Sequence, residues 1–371
     1  MDKDILSLSP NHPKPGESCP PITLKVTKFY KGGMMLCFST HHAIFDGGFI
    51  RTFLEFFGKE TEKIPGQTFV REHTSRPNMD HHTRTDITNH VFPEYDFTTD
   101  TDLVSGMNRL NMSSTAMAQT QTPPRAVCVL FKLQNSTLQM LHGRALTELR
   151  DKYGPDAFVS MVDTLSAVVW VHTTRARLPH LNLADKTSFT TAADARARLS
   201  PTFSADSWGN VYTQTSASTS VQDLVQAWGS INSDSTPAIV AAAWRIRQAV
   251  SQVSTPGYIP SRIALAASLA DPLMEGVAFR KALQPNHTGL GCSVWTHMGA
   301  DVDFGIPGTK GKADYIRKTW SANDGSMNIM QRRGITKGEA PWEVLLALRE
   351  DDMERICAPA ELGRWISSWC A

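Results

Sequence analysis

The chain has 371 residues, a length that argues for two domains and leaves room for a third. Its hydrophobic fraction is 41% and its charged fraction 20%, enough apolar material for an ordinary core. Lys+Arg number 37 against Asp+Glu 36, and a net charge of +1 gives no electrostatic case for nucleic acid or an anionic membrane surface. The cysteines Cys19, Cys37, Cys128, Cys292, Cys357 and Cys370 form no C-x-x-C pair and sit at no metal-ligand spacing with histidine. They read as small buried hydrophobes of a reducing compartment, and no metal site is expected. No apolar stretch follows the polar start Met1-Asp-Lys-Asp, and no run reaches membrane-spanning length. A soluble cytoplasmic protein is the expectation.

Residues 1–21 are rich in proline and serine and read as an irregular lead-in. Ile22–Phe29 alternates apolar and polar residues as a strand does. Lys31-Gly32-Gly33 is a turn signal, and Met34–Ser39 is a second, apolar strand. The hairpin ends at His41-His42. After Gly47-Gly48, the residues Phe49, Ile50, Phe53, Phe56 and Phe57 put an apolar stripe on a helix. From 59 to about 100 the chain is polar and aperiodic. Residues 113–124 are small and polar and end in Pro123-Pro124, the best linker candidate. The expected division is therefore an N-terminal domain over 1–112, a linker over 113–125 and a C-terminal domain over 126–371.

Beyond the linker, Ala126–Leu133 reads as a strand. Ser136 is a candidate cap for a helix to Tyr153, with Gly154 past its end. Asp163–Arg177 reads as a second helix and Ser188–Ala192 as a strand. Residues 220–252 read as mostly helical. Strands are expected over 263–270, 291–304, 326–331 and Trp342–Leu348, and a short helix over Glu350–Cys357. Helices and strands mix throughout, with no repeat at a solenoid period.

The pattern His-x-x-x-Asp occurs at His42/Asp46, His82/Asp86 and His297/Asp301. With 12 histidines and Asp at roughly one residue in twenty, about 0.6 matches arise by chance, so context must separate them. Two apolar strands deliver His42, and Gly47-Gly48 follow Asp46, where glycine permits a sharp turn with φ > 0 and close backbone approach. A helix then starts. That placement exposes a side chain at a sheet end while fixing its position. Asp46 can anchor the loop by pairing with a buried arginine. A neutral imidazole can take a proton from a hydroxyl or amine near pH 7, which lets the nucleophile attack a thioester carbonyl. The pattern alone is equally compatible with a structural histidine at a strand end. His82 lies in the polar, aperiodic stretch and is expected to be solvated. His297 is expected in a strand, as a structural histidine.

A series of segments in order sharpens this reading. His41-His42-Ala-Ile-Phe-Asp-Gly47 resembles the HHxxxDG site of the BAHD acyltransferases, the coenzyme A-dependent family, in its fungal form. Asp163-Thr-Leu-Ser-Ala-Val-Val-Trp through Arg177 is similar to the helix that opens the family's second half. Asp194-Ala-Arg-Ala-Arg-Leu-Ser-Pro, with Trp208-Gly-Asn210, resembles its D-x-R-x-R-L-x-P…G-N stretch. Asp303-Phe-Gly-Ile-Pro resembles its D-F-G-W-G signature, and Ala340-Pro-Trp-Glu-Val to Met353 is similar to a fungal member's C-terminal part.

The resemblance implies two chloramphenicol-acetyltransferase-like mixed-sheet α/β domains joined by a crossover loop. It implies His42 as general base in a channel between them, with Asp46 turned away onto Arg196. Gly47, Asp303 and Gly305 would be scaffold residues. The co-substrate would be acyl-CoA, acetyl-CoA first, with no permanently bound cofactor. The acceptor would be a hydroxylated small molecule of secondary metabolism, modified on O or N. The second signature departs from the family, because Ile306-Pro307 stands for Trp-Gly and proline removes a backbone donor there. Family members also usually carry a longer stretch before the His motif. The resemblance therefore implies an incomplete first domain, able to self-associate through an exposed sheet edge. The second reading is a non-catalytic or weakly active shortened relative that binds a ligand or partner. A third is a peptide-synthetase condensation domain, which shares HHxxxDG. The Asp303-Phe-Gly segment and the absence of carrier domains speak against it.

Overall fold

The computed structural model describes residues 3–9, 16–61, 78–87, 90–97, 125–199, 202–204, 207–226, 236–271, 273–283, 288–299, 301–319, 323–332 and 338–370. The candidate linker 113–124 lies outside them. After the single turn α1 (Lys3–Leu6), β1 (Ile22–Lys28) and β2 (Met34–Thr40) pair antiparallel, with Leu24 opposite Phe38. Gly32 and Gly33 close the hairpin at φ of 93° and 90°, values that favour glycine. Helix α2 (Gly47–Thr61) lies against one face of the hairpin. The Phe38 ring meets Phe53 and Phe57 edge-on at 5.7 and 5.1 Å.

The rest of the described chain builds a seven-stranded mixed sheet in the order β5-β4-β6-β7-β8-β3-β9. Its strands are β3 (Ala126–Leu133), β4 (Lys186–Asp194), β5 (Tyr212–Ser220), β6 (Leu290–Val294), β7 (Ser326–Ile329), β8 (Trp342–Arg349) and β9 (Ile366–Cys370). Pairs β4/β6 and β6/β7 are parallel, and the others are antiparallel. The helices are α3 (Asn135–Tyr153), α4 (Met161–Ala176), α5 (Val221–Gln226), α6 (Thr236–Gln252), α7 (Tyr258–Ser268), α8 (Leu273–Leu283) and α9 (Glu350–Ile356). This is the mixed α/β architecture expected. None of these helices is long and apolar enough to cross a membrane.

Helix α4 is the core of this unit. Every residue from Asp163 to Thr174 is buried, so an amphipathic stripe would be out of place, and apart from Asp163 and His172 its sequence is apolar or hydroxylated on all sides. A capping box starts it: Ser160 Oγ accepts from the Asp163 amide, and Asp163 Oδ2 accepts from the Ser160 amide at 2.7 Å. The core continues through Leu138, Leu141 and Leu149 of α3, Ile239 and Ile246 of α6, and Phe131, Val344 and Leu346 of the sheet.

Three expectations are corrected here. Residues 263–268 belong to helix α7, not to a strand, because Ile263-Ala-Leu-Ala-Ala is an apolar run without period and its Ala and Leu favour helix. Of the strand expected over 291–304, only Leu290–Val294 forms; His297 sits exposed in the turn beyond it. His82 is not solvated. It is 6% exposed in a short 3-10 turn (Asp80–Arg84) beside α7, its ring 3.7 Å from that of His81. Burial and His81 both push its pKa down, and its Nε2 has no hydrogen-bond partner among the described residues. The same stretch is held to α7 by Glu94, which accepts from the Tyr258 hydroxyl at 2.9 Å and pairs with Arg262 at 3.0 Å.

Candidate active site

Strand β2 ends at Thr40, and His42 follows in an exposed turn closed by Ile44 N–H donating to the His41 carbonyl at 3.0 Å. Four residues on, Asp46 is 3% exposed and stands at the start of α2. Its carboxylate takes four donors. Oδ1 accepts from the Phe49 amide at 2.8 Å, which caps the helix, and from Arg196 Nη2 at 3.1 Å. Oδ2 accepts from Arg196 Nη1 at 2.9 Å and from the Val211 amide at 2.8 Å. One side chain thus holds the helix start, the 194–198 turn and the entry to β5 together.

Arg196 is 2% exposed and saturates its own donors around this contact. It reaches the Ser207 carbonyl at 3.2 Å, the Gly209 carbonyl at 2.9 Å and Asp194 Oδ1 at 3.1 Å. A bidentate guanidinium–carboxylate pair fixes orientation as well as distance. The neighbouring loop reaches His42 directly, because Asn210 Nδ2 donates to the His42 carbonyl at 2.6 Å. The main chain at His42 is therefore tied from two sides while its imidazole remains exposed. Tyr212, two residues past Asn210, sets its ring 6.0 Å from the imidazole. Burial pushes the Tyr212 phenol up in pKa, helped by the charge of Glu275.

The glycines act differently from the expectation. Neither Gly47 nor Gly48 adopts a positive φ; both are helical from the start. A Cβ at Gly47 would meet nothing closer than Met298 Sδ at 4.0 Å. At Gly48 it would stand 2.9 Å from Arg196 Nη1 and 3.3 Å from Asp194 Oδ2. Gly48, not Gly47, is the position where a side chain is excluded, because the guanidinium needs that space.

The Asp303-Phe-Gly segment lies at the far end of the same helix. A Cβ on Gly58 would overlap the Asp303 carbonyl oxygen, so α2 approaches that loop closely at this glycine. Thr61 Oγ1 donates to the Phe304 carbonyl, and the Phe57 and Phe304 rings lie 6.2 Å apart. Asp303 Oδ1 accepts from the Gly305 amide at 2.9 Å, and Gly305 has φ +52°. Pro307 fits without strain: it precedes Gly308 at φ +79°, and Thr309 N–H closes the turn onto the Ile306 carbonyl at 3.1 Å. Proline then glycine at the two central positions is type II turn composition.

The Transferase family model matches residues 2–362. The chain belongs to this family, the BAHD acyltransferases. As a family member it is an acyltransferase. Trichothecene 3-O-acetyltransferase TRI101 of Fusarium sporotrichioides is 24% identical over 361 residues, which cover 96% of this chain and 69% of that protein. The crystal structure of F. sporotrichioides TRI101 with coenzyme A and T-2 superposes with a TM-score of 0.69 at 20% identity, over 98% of this chain and 74% of that one. Vinorine synthase gives 0.58 at 18% identity, over 98% and 71%. At these identities the structural likeness speaks for the fold of this acyltransferase.

The sequence singled out His42, Asp46, Gly47, Arg196, Asp303 and Gly305, and the structure adds three neighbours of these residues that it did not signal. Tyr212 carries no motif. The Val211 contribution is a main-chain amide, invisible in any residue pattern. Gly48 was readable only as half of a glycine pair.

Proposed function

We propose that this acyltransferase moves an acyl group from acyl-CoA, acetyl-CoA first, to a hydroxyl or amine of a small-molecule acceptor, with His42 as general base. The TRI101 structures carry coenzyme A with T-2 or deoxynivalenol, which supports this donor and an acceptor of comparable size. The observation that carries the reading is the saturation of Asp46: four donors consume its carboxylate, so it cannot share the proton transfer, and the exposed His42 is left to perform it. His42 takes the acceptor's proton as its oxygen or nitrogen attacks the thioester carbonyl. The tetrahedral intermediate collapses, the carbon–sulfur bond breaks, and the coenzyme A thiolate receives the proton from the imidazolium. Asp46 and Arg196 hold the loop, while Gly48, Asp303 and Gly305 hold α2 at its two ends.

The division into an N-terminal unit over 1–112 and a C-terminal unit over 126–371 belongs to this reading, with α2 and the hairpin contributed by the first. So does self-association through the outer edges of the β1–β2 sheet, which pair with no further strand among the described residues. A strictly monomeric sedimentation profile at high concentration would remove that element.

The test of the base is His42→Ala. Coenzyme A release, read by a thiol reagent with acetyl-CoA and an acceptor panel, is expected to fall by roughly 10²–10⁴-fold. Unfolding should be unchanged, because the side chain is exposed. Turnover within a few-fold of wild type would overturn the assignment.

A further inference from the structure

Away from the His42 site, one buried carboxylate is left with an unused oxygen. Asp352, in α9, is 0% exposed. Its Oδ1 accepts from Arg355, whereas its Oδ2 has no hydrogen-bond partner among the described residues. Two groups face that oxygen. His180 Nε2, from the 3-10 turn Leu178–His180 that follows α4, stands 3.5 Å away, and Arg177 Nε stands 3.7 Å away. Both separations exceed an ordinary N–H···O hydrogen bond. A buried carboxylate oxygen without a donor is costly, and a ligand that fills the gap removes the cost. Asp351, one residue before, adds a half-exposed carboxylate. It receives Arg349 on both oxygens at 3.1 Å and Arg355 on Oδ2 at 3.0 Å, which leaves Oδ1 a lone pair to spare. One oxygen of each carboxylate and one imidazole nitrogen lie within 4.8 Å of one another. Two ligands of a tetrahedral ion, each at about 2.0–2.1 Å, sit about 3.3–3.4 Å apart, close to the His180–Asp352 separation. The cluster is closed on the Asp352 side and opens to water at His180 and Asp351, so an ion can reach it and keep a water as a further ligand.

We propose that His180, Asp351 and Asp352 bind a divalent transition-metal ion of the zinc class. Arg177, Arg349 and Arg355 balance Asp324, Asp351 and Asp352, so charge alone does not draw a hard cation such as magnesium there. The imidazole selects instead, because nitrogen ligands favour zinc, cobalt or nickel over magnesium and calcium. The role is structural: the ion ties the turn after α4 to α9, two segments far apart in the chain, and so stabilises the folded state. The cluster lies at the end of the sheet where β8 ends and β4 begins, opposite the end where β4 delivers Asp194 and Arg196.

The test uses the full chain, stripped with EDTA, and zinc chloride as probe. Titration calorimetry is expected to show a saturable zinc site that His180→Gln and Asp352→Asn each weaken by at least about tenfold, the usual scale for damage to a metal's surroundings. Zinc should also raise the urea midpoint of the wild-type chain, because an ion bound by the folded state stabilises it by mass action. Magnesium chloride at equal concentration should leave the midpoint where it was. His180→Gln should lose the zinc response. Where Asp352→Asn fails to fold, His180→Gln carries the test, because its side chain is partly exposed and leaves the buried carboxylate in place. No saturable zinc binding, an equal response to magnesium, or zinc affinity unchanged in His180→Gln would each overturn the site. The readouts do not involve turnover, so they stand apart from the assignment of His42.

Discussion

Removing the Asp46 carboxylate tests the geometry most directly. In Asp46→Ala, Arg196 keeps the Ser207 and Gly209 carbonyls and one contact to Asp194, whose side chain is 53% exposed and well hydrated. A guanidinium that is 2% exposed is then left without a buried counter-charge. The amides of Phe49 and Val211 lose their acceptor as well. Breaking a buried pair from one side costs about 3–5 kcal/mol, and loss of a helix cap alone costs about 1 kcal/mol. Asp194 offsets part of the first figure, so a total of about 3–5 kcal/mol is expected. Asp46→Asn keeps an acceptor for the cap and one for Arg196 and should lose about 2 kcal/mol. Urea unfolding followed by circular dichroism measures both, and coenzyme A release measures activity on the folded fraction. His42→Ala is the control, expected inactive and fully stable. An Asp46→Ala chain within about 0.5 kcal/mol of wild type would refute the argument, because that is the scatter of an ordinary surface change.

Gly48→Ala should cost about 1–3 kcal/mol by pressing a methyl group into the Arg196 guanidinium, whereas Gly47→Ala should be neutral or slightly stabilising; paired urea midpoints decide. His82→Ala should lower stability by about 1–3 kcal/mol through the hole it leaves, with activity per folded molecule unchanged. His172 is fully buried and donates to Glu361 through Nδ1 at 3.0 Å, while its Nε2 accepts from Trp365 Nε1 at 3.0 Å. Burial drives its pKa below the ordinary 6.5. The unfolded chain therefore binds more protons as pH falls, so this stability is full above pH ~6.5 and is lost progressively below it. Urea midpoints at pH 7.5 and 5.5 should fall less in His172→Gln than in wild type; equal slopes would reject the assignment.

Local pattern made the hairpin, α2 and α4 legible, because each has a period or a cap of its own. Alternation at Ile22–Lys28 and the phenylalanine run from Phe49 to Phe57 mark these elements but not their buried faces: no residue of β1 is fully buried, and α2 buries Phe49, Thr52, Leu54 and Gly58. Strand β5 did not announce itself: Thr213, Thr215 and Ala217 alternate inward, but small hydroxylated residues give little apolar contrast between the two faces. The 263–270 error has the opposite cause, an apolar run with too little polar punctuation to reveal a period. His82 was misplaced because a polar neighbourhood says nothing about what a distant helix lays over it. The contact between Asp46 and Arg196 spans 150 positions, and only the resemblance, never the spacing, pointed to that partner.

That separation also explains how a weakly conspicuous motif can define a site. His42 and Asp46 lie four residues apart in sequence, but the groups that orient them come from 196, 210 and 211. The loop that receives the far end of α2 comes from 303–304. Helix α2 is thus fixed at its start by charge and at its end by backbone packing. The imidazole sits just before its first turn, so displacement at either end of α2 would reach His42. The two ends are held by different physics, and they should respond differently to solvent. Buried from water, the Asp46–Arg196 pair should be nearly insensitive to salt. The Gly58–Asp303 approach has no charge pair to screen and depends on the absence of a Cβ, so Gly58→Ala should loosen it at any ionic strength. Activity of Gly58→Ala measured from low to high salt should therefore run parallel to wild type at a lower level. A defect that salt restores would mean that charge, not close packing, holds that end of the helix.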